Sequence, residues 1–413
     1  MIDLCAGGIF SAMFGDGGIE VWWGINRVLH RNRIFCSYSP HRENYWRDKY
    51  IGMLKELTGF ESVALFSTGA EATEAFWRCC RVYNGKPGVW GGLVDPDEVG
   101  SERPLSDAMH GWTLGAMIMG GKLNWPELGV FPELGAGRFG MGNNAVSCMI
   151  MEPYHAPSGQ FHRIEPTIRR IQGLRKEFPD ILFCMDEIQG GFGRTGKLWA
   201  YEHYQEDGKF MLSPDFITIG KLCGGGLPLS ALLGPKDVME SDSVREFGHL
   251  HSTHSGNPLM CAVGCIVIEE MKKQNLIKRS ADLGNKMHEE LLKLPVRTHG
   301  KGLLAGIEMK DNEEVKMVTE KCLRRGVQVC DTGKKWVKIG PALKIEEASL
   351  ITGISILIEK VEEVVNERKP ASCGGGGEGS ERSDSHLLSD GVQGNREGDD
   401  KGSETSGQQR ECL

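Results

Sequence analysis

The stretch 215-DFITIGKLCGGGLPLSALLG-234 holds two short apolar runs, DFITIGK (215–221) and LSALLG (229–234), joined through a glycine triplet. A run of aliphatic and β-branched residues without polar alternation reads as a strand buried on both faces, the kind that builds parallel sheets. Outward from it, SVALFST (62–68), AVSCMIME (145–152) and ILFCMDE (181–187) have the same character. Periodic segments lie between them. In EATEAFWRCCRVY (71–83), Ala72, Ala75, Phe76, Cys79 and Val82 fall near one side of a helix. Strands alternating with helices imply an α/β fold with a mostly parallel sheet, in which ligands gather at the carboxyl ends of the strands. Further on, long amphipathic helices carry only a few strand-like runs, GLLAGIEM (302–309) and WVKIG (336–340), which implies a smaller α+β domain.

The expected organisation is an N-terminal segment (1–44) packing with the small domain, a large domain (45–265), a small domain (266–369) and a tail (370–413). The tail is rich in Gly, Ser and charge, with four large aliphatics, Leu387, Leu388, Val392 and Leu413. Such a segment cannot bury enough apolar surface to offset its ordering entropy, so disorder is expected.

The formal net charge is −8, of which the tail contributes −5 and the body −3. A body this close to neutral offers no electrostatic basis for binding nucleic acid or a membrane surface, and the expected partners are small molecules. Of the 13 cysteines, Cys79, Cys80, Cys148, Cys184, Cys261 and Cys265 sit inside apolar runs. There they read as small hydrophobes in a reducing compartment rather than as a disulfide framework. No Cys/His spacing typical of zinc occurs, and no metal is expected. Without a signal-peptide pattern or an apolar run of about 18–20 residues, a cytoplasmic protein is expected.

Two polar groups stand out at the ends of buried strands. Asp186, in 186-DEIQGGFGRTG-196, ends one apolar run, and Lys221 ends another beside the glycine triplet. Alone, such a lysine is equally well a helix cap or a snorkelling surface residue. Together they meet the needs of an aldehyde cofactor, which requires an amine to hold it and a carboxylate to keep its ring nitrogen protonated as an electron sink. In 67-STGAEATEAFW-77, a strand turns through Thr68, Gly69 and Ala70 into a helix, whose first N–H groups and dipole favour an anion.

STGAEATEA, HGWTLGA (110–116), MEP (151–153), MDEIQGGFGRTGKLWAYEHY (185–204), PDFITIGKLCGGGLPLSALLG and STHSGNPL (252–259) resemble, in order, the motifs of class III aminotransferases, over roughly residues 1–368. That resemblance implies the fold type I architecture of pyridoxal 5'-phosphate (PLP) transferases and a homodimer with shared active sites. The implied reaction moves an amino group from a primary amine or amino acid to a keto acid. It implies that Lys221 forms a Schiff base with PLP, Asp186 pairs with the ring nitrogen and Gln189 hydrogen-bonds the phenolic oxygen. It further implies that Thr68, Gly69 and Ala70 hold the phosphate, completed by Thr253 of the neighbouring subunit, and that Ile188 packs on one ring face. Met109 and His110 stand in the block that lines the other face.

The chain departs from the pattern in four places. Met109 replaces an aromatic residue that stacks on the ring, and either a sulfur–aromatic contact substitutes for it in part or the methionine simply fills the same volume. In 152-EPYHAPSG-159, Pro157 stands where many members carry a glutamate that switches between substrates. Lys338, in 336-WVKIGPAL-343, takes the place of an arginine that binds a substrate carboxylate, with Arg194 as an alternative carboxylate ligand. The chain also starts close to its DLCAGGIF segment, where members usually carry a preceding arm, as expected of a fragment, a misassigned start or a minimal version. These departures keep two alternatives open, another PLP reaction on the same fold (decarboxylase, lyase or aminomutase) and a non-catalytic scaffold.

Overall fold

A computed structural model describes residues 1–15, 18–31, 44–91, 108–122, 146–162, 164–206, 209–210, 212–246, 248 and 250–368. The chain divides into two units, Met1–Lys369 and Pro370–Leu413. The expectation made for the tail lies outside the described residues.

Six strands form the central sheet: β1 (Ser62–Phe66), β2 (Gly88–Gly91), β3 (Val146–Met151), β4 (Leu182–Asp186), β5 (Phe216–Ile219) and β6 (Ser230–Gly234). Their order is β1-β6-β5-β4-β3-β2. β2, β3, β4 and β5 pair in parallel, while β6 runs antiparallel to both β5 and β1. Five of the apolar runs therefore fold as strands within a residue or two of their expected limits. β2 was not singled out, because GVWG is four residues long and half glycine.

Each end of the helix after β1, α2 (Gly69–Asn84), has a cap. Thr68 and Glu71 exchange hydrogen bonds as a capping box at its start, and Gly85 closes it in the left-handed conformation. Ala72, Ala75, Phe76 and Cys79 are buried as expected, and Thr73, Trp77 and Cys80 are buried too. The buried arc is wide because α2 covers β6, β5 and β3 while α-helical residues 114–119 close over its other side. Upstream, α1 (Tyr45–Thr58) begins on an Asn44 side-chain cap, and it packs on α3 (Pro258–Lys273), which begins on Asn257 with proline at its first position.

A second, antiparallel sheet has the order β7-β8-β10-β9, with β7 Thr298–Gly300, β8 Ala305–Glu308, β9 Cys330–Asp331 and β10 Trp336–Ile339. It is backed by α4 (Asn312–Arg324), on which α5 (Glu347–Glu367) packs. The chain's first strand, Ile2–Asp3, pairs in parallel with Val327–Gln328 beside this sheet. One hydrophobic cluster runs from Phe183 and Ile217 under the first sheet to Ile307, Val337 and Leu357 under the second. All ten cysteines among the described residues are free, nine of them buried. No helix among the described residues is long and apolar enough to cross a membrane.

Candidate active site

Because β1, β3, β4 and β5 point the same way, their carboxyl ends lie along one edge of the sheet. The residues that follow those ends are Thr68, Glu152, Asp186 and Lys221. The register makes the alignment tight at the centre, with Asp186 directly opposite Thr218. Ile188 lies against the other two motifs. A Cβ added at Gly69 would stand 2.8 Å from Ile188 Cδ1, and one at Gly220 3.2 Å from Ile188 Cγ2. The start of α2, the loop after β4 and the end of β5 therefore converge on one side chain, and a side chain at 69 or 220 would require Ile188 to shift.

Asp186 is buried and accepts three hydrogen bonds. Oδ2 meets His110 Nδ1 at 2.7 Å, and Oδ1 accepts from the Ile188 N–H at 3.2 Å and the Thr218 hydroxyl at 3.1 Å. A carboxylate only accepts, so this pairing requires the proton of the imidazole on Nδ1. His110 Nε2 is buried and has no hydrogen-bond partner among the described residues. The main-chain carbonyl of His110 accepts from Thr73 Oγ1 at 2.8 Å, which ties the HGW segment to α2.

Glu152, next to the end of β3, is buried and accepts from the Met109 N–H at 2.9 Å. Burial raises its carboxyl from 4.5 to about 7, only partly opposed by His110 and reinforced by Asp186. The folded state thus holds this proton more tightly than the unfolded chain does. Its contribution to stability is complete below about pH 4.5 and is lost as pH rises through about 7. Glu152→Gln, which mimics the protonated acid, should flatten the fall in urea stability between those values relative to wild type. Parallel curves for the two proteins would disprove the shift. Glu187, which accepts from the N–H groups of Ala200 and Tyr201, is likewise pushed up by burial, to about 8.

Lys221 follows β5 with φ of 49°, in the left-handed region, a conformation that costs a non-glycine residue about 1–3 kcal/mol. It is half-buried, and desolvation lowers its pKa against the opposing pull of Asp186 and Glu152. At the start of α2, the N–H groups of Gly69 and Ala70 lack intrahelical acceptors. Thr68 is exposed there, and its N–H and hydroxyl go to Glu71 Oε2 at 2.8 and 3.0 Å. Ser252 Oγ donates to Glu71 Oε1 at 2.6 Å, which brings the 252–257 turns of the same chain to this cup and leaves Thr253 exposed beside it. The Thr68-x-x-Glu71 pattern was available in the sequence as a capping signal, but Ser252 was not.

The remaining expected residues are placed as follows. Gln189 Oε1 accepts from Tyr154 Oη at 2.8 Å and Lys338 Nζ at 2.6 Å. Lys338 also donates to the carbonyl of Ala156. Arg194 is fully buried, and its Nη1 donates to the carbonyls of Leu303 and Pro341. Met109 is half-buried, its sulfur 3.0 Å from Lys122 Nζ, and that ammonium also lies 4.4 Å from the Trp112 ring. Sequence reasoning missed Tyr154 and Thr218, because a lone tyrosine or a threonine within an apolar strand carries no local signal.

The family model Aminotransferase class-III matches residues 137–361. Over 339 residues the chain is 31% identical to ornithine aminotransferase 1 of Staphylococcus saprophyticus, covering 77% of this chain and 79% of that protein. It is 28% identical over 349 residues to the acetylornithine aminotransferase of Aquifex aeolicus, covering 81% and 84%. The solved ornithine aminotransferase of Toxoplasma gondii ME49 superposes with a TM-score of 0.70 at 23% identity, covering 89% of this chain and 87% of that one.

Proposed function

This chain belongs to the class III aminotransferase family, and on that premise we propose how its residues divide the work of PLP-dependent transamination on the fold type I scaffold. The observation that carries the assignment is the convergence of Thr68, Asp186 and Lys221 at one sheet edge around Ile188. The residues fit the cofactor. A primary amine, a buried carboxylate with its own network, a helix start with free N–H groups and an amide are the group types that an aldehyde, a ring nitrogen, a phosphate and a phenolic oxygen would require.

When bound, PLP supplies an aldehyde for a primary amine and a ring that takes up the electron pair released at the substrate Cα. Lys221 would hold the cofactor and, as a free amine, would carry the proton at the substrate Cα, a task suited to an amine whose pKa burial has lowered. Asp186 accepts the hydrogen bond of the ring nitrogen, and His110, Ile188 and Thr218 hold its carboxylate in place. Gln189 donates to the phenolic oxygen, and Met109 lines the ring. Gly69 and Ala70 offer their N–H groups to the phosphate with Thr68 beside them. In a homodimer Thr253 of a second copy would complete that cup, which Ser252 of the same chain already reaches through Glu71. Buried free thiols fit a reducing, cytoplasmic setting.

The substrates are a small-molecule amine or amino acid and a keto acid, and the names of the relatives put ornithine and acetylornithine first among donors to test. Incubation of purified protein with PLP, a donor panel and a keto acid, with the new amino acid read by mass spectrometry, tests the activity. Failure of every donor to yield product, with PLP bound, would contradict it.

The acceptor follows from where the cations point. Pro157 brings no carboxylate, Lys338 is turned to Gln189 and Ala156, and Arg194 gives Nη1 to two core carbonyls, which leaves its buried Nε and Nη2 without a partner among the described residues and so at most one cation for a carboxylate. A dicarboxylate needs two paired carboxylates, and an unpaired buried charge costs several kcal/mol. Pyruvate should therefore exceed 2-oxoglutarate in kcat/KM. Faster return of the cofactor's visible spectrum from its amino form with 2-oxoglutarate, at equal concentration, would reverse that reading.

A further inference from the structure

Lys338 stands on β10 opposite Gly306 and Cys330, and it is only 2% exposed. Its ammonium lies 5.0 Å from the ring centre of Phe10 and 5.8 Å from that of Tyr154, so aromatic faces rather than water surround it. It donates to the carbonyl of Ala156, in the hairpin of strands Tyr154–His155 and Gln160–Phe161, and to Gln189 Oε1 at 2.6 Å. Tyr154 Oη donates to the same oxygen at 2.8 Å. A carboxamide has an accepting oxygen on one side and a donating NH₂ on the other, and an ammonium can only donate. The ammonium on Oε1 therefore sets the orientation of Gln189, since a flipped amide would turn its NH₂ against it in a buried site, and the Tyr154 hydroxyl supports that orientation with a second hydrogen bond.

We propose that Lys338 is a positioning residue that, with Tyr154, locks the Gln189 carboxamide so that its NH₂ faces the phenolic oxygen of the cofactor. This rests on the reading of Gln189 as the partner of that oxygen. It gives the lysine a task other than gripping a substrate carboxylate. Burial pushes Lys338 down to about 7, and charged or neutral the amine keeps N–H groups for Gln189 and Ala156.

The test is equilibrium binding of two probes to the full-length chain, pyridoxine 5'-phosphate and its 3-deoxy analogue. Neither has the aldehyde, so attachment to Lys221 does not enter. Lys338→Met should weaken pyridoxine 5'-phosphate by about fivefold to tenfold, the worth of one well-placed hydrogen bond, and leave the 3-deoxy probe within about twofold. Tyr154→Phe, which removes one oxygen from a ring that keeps its packing, should act in the same direction to a smaller extent. It carries the test alone if Lys338→Met does not fold. Equal losses for both probes would mean a packing role and overturn the proposal. So would unchanged affinities accompanied by a higher KM for the keto acid in the holoenzyme, which would make Lys338 a substrate ligand. A wild-type chain that does not distinguish the probes would remove Gln189 from the phenolic oxygen, and the inference with it. One that binds neither would overturn the cofactor site itself.

Discussion

Lys221→Ala is expected to fold, to take up PLP without covalent attachment, and to turn over at least about 10³-fold more slowly than wild type. The fold should survive because the strain at this position lies in the backbone, at φ 49°, and alanine meets the same Cβ restriction that lysine already bears. What alanine lacks is the amine. That group is half-buried at the end of β5, and desolvation lowers its pKa against the pull of Asp186 and Glu152, which would suit the proposed nucleophile and proton carrier. The other buried lysine of the site, Lys338, is engaged by Gln189 and Ala156, so it should not replace Lys221. Steady-state turnover, with the mass of the intact holoprotein, measures both parts. A variant within tenfold of wild type would remove Lys221 from the reaction.

Asp186→Asn should bind PLP and lose about 10²–10³-fold in kcat, corresponding to about 2.7–4 kcal/mol of electrostatic stabilisation. The amide oxygen can still accept from the Ile188 N–H and the Thr218 hydroxyl, which meet the same oxygen in wild type. The other atom changes from an acceptor to an NH₂ facing His110 Nδ1, so the imidazole must move its proton to Nε2. The structure can accommodate that exchange, because Nε2 has no hydrogen-bond partner among the described residues. What is lost is the negative charge that a protonated ring nitrogen requires. A variant that keeps half the wild-type kcat at full cofactor occupancy would show that Asp186 does not perform this role.

The sheet was legible in the sequence because strands buried on both faces are continuous apolar runs, and each of the five runs assigned to it lies within a residue or two of an observed strand. The same feature exposed Asp186 and Lys221, since a charged residue at the end of such a run has no packing purpose. β2 stayed hidden, being short and glycine-rich. Contacts between distant segments were not legible either. That Lys338 turns toward Gln189, and Arg194 toward the carbonyls of Leu303 and Pro341, depends on how the second sheet lies against the loop after β4. Sequence position marked both as cations near a carboxylate site, and only the packed geometry gives the atoms they reach. Thr218 illustrates the same limit: its hydroxyl is one more small side chain in an apolar run until the register puts it opposite Asp186.

Attachment of PLP to Lys221 is measured directly by borohydride reduction of the purified holoenzyme, followed by proteolysis and mass mapping. The reduced cofactor is expected on the peptide containing Lys221 and on no other. A tag on a different lysine, or no tag on a protein that carries PLP, would contradict it.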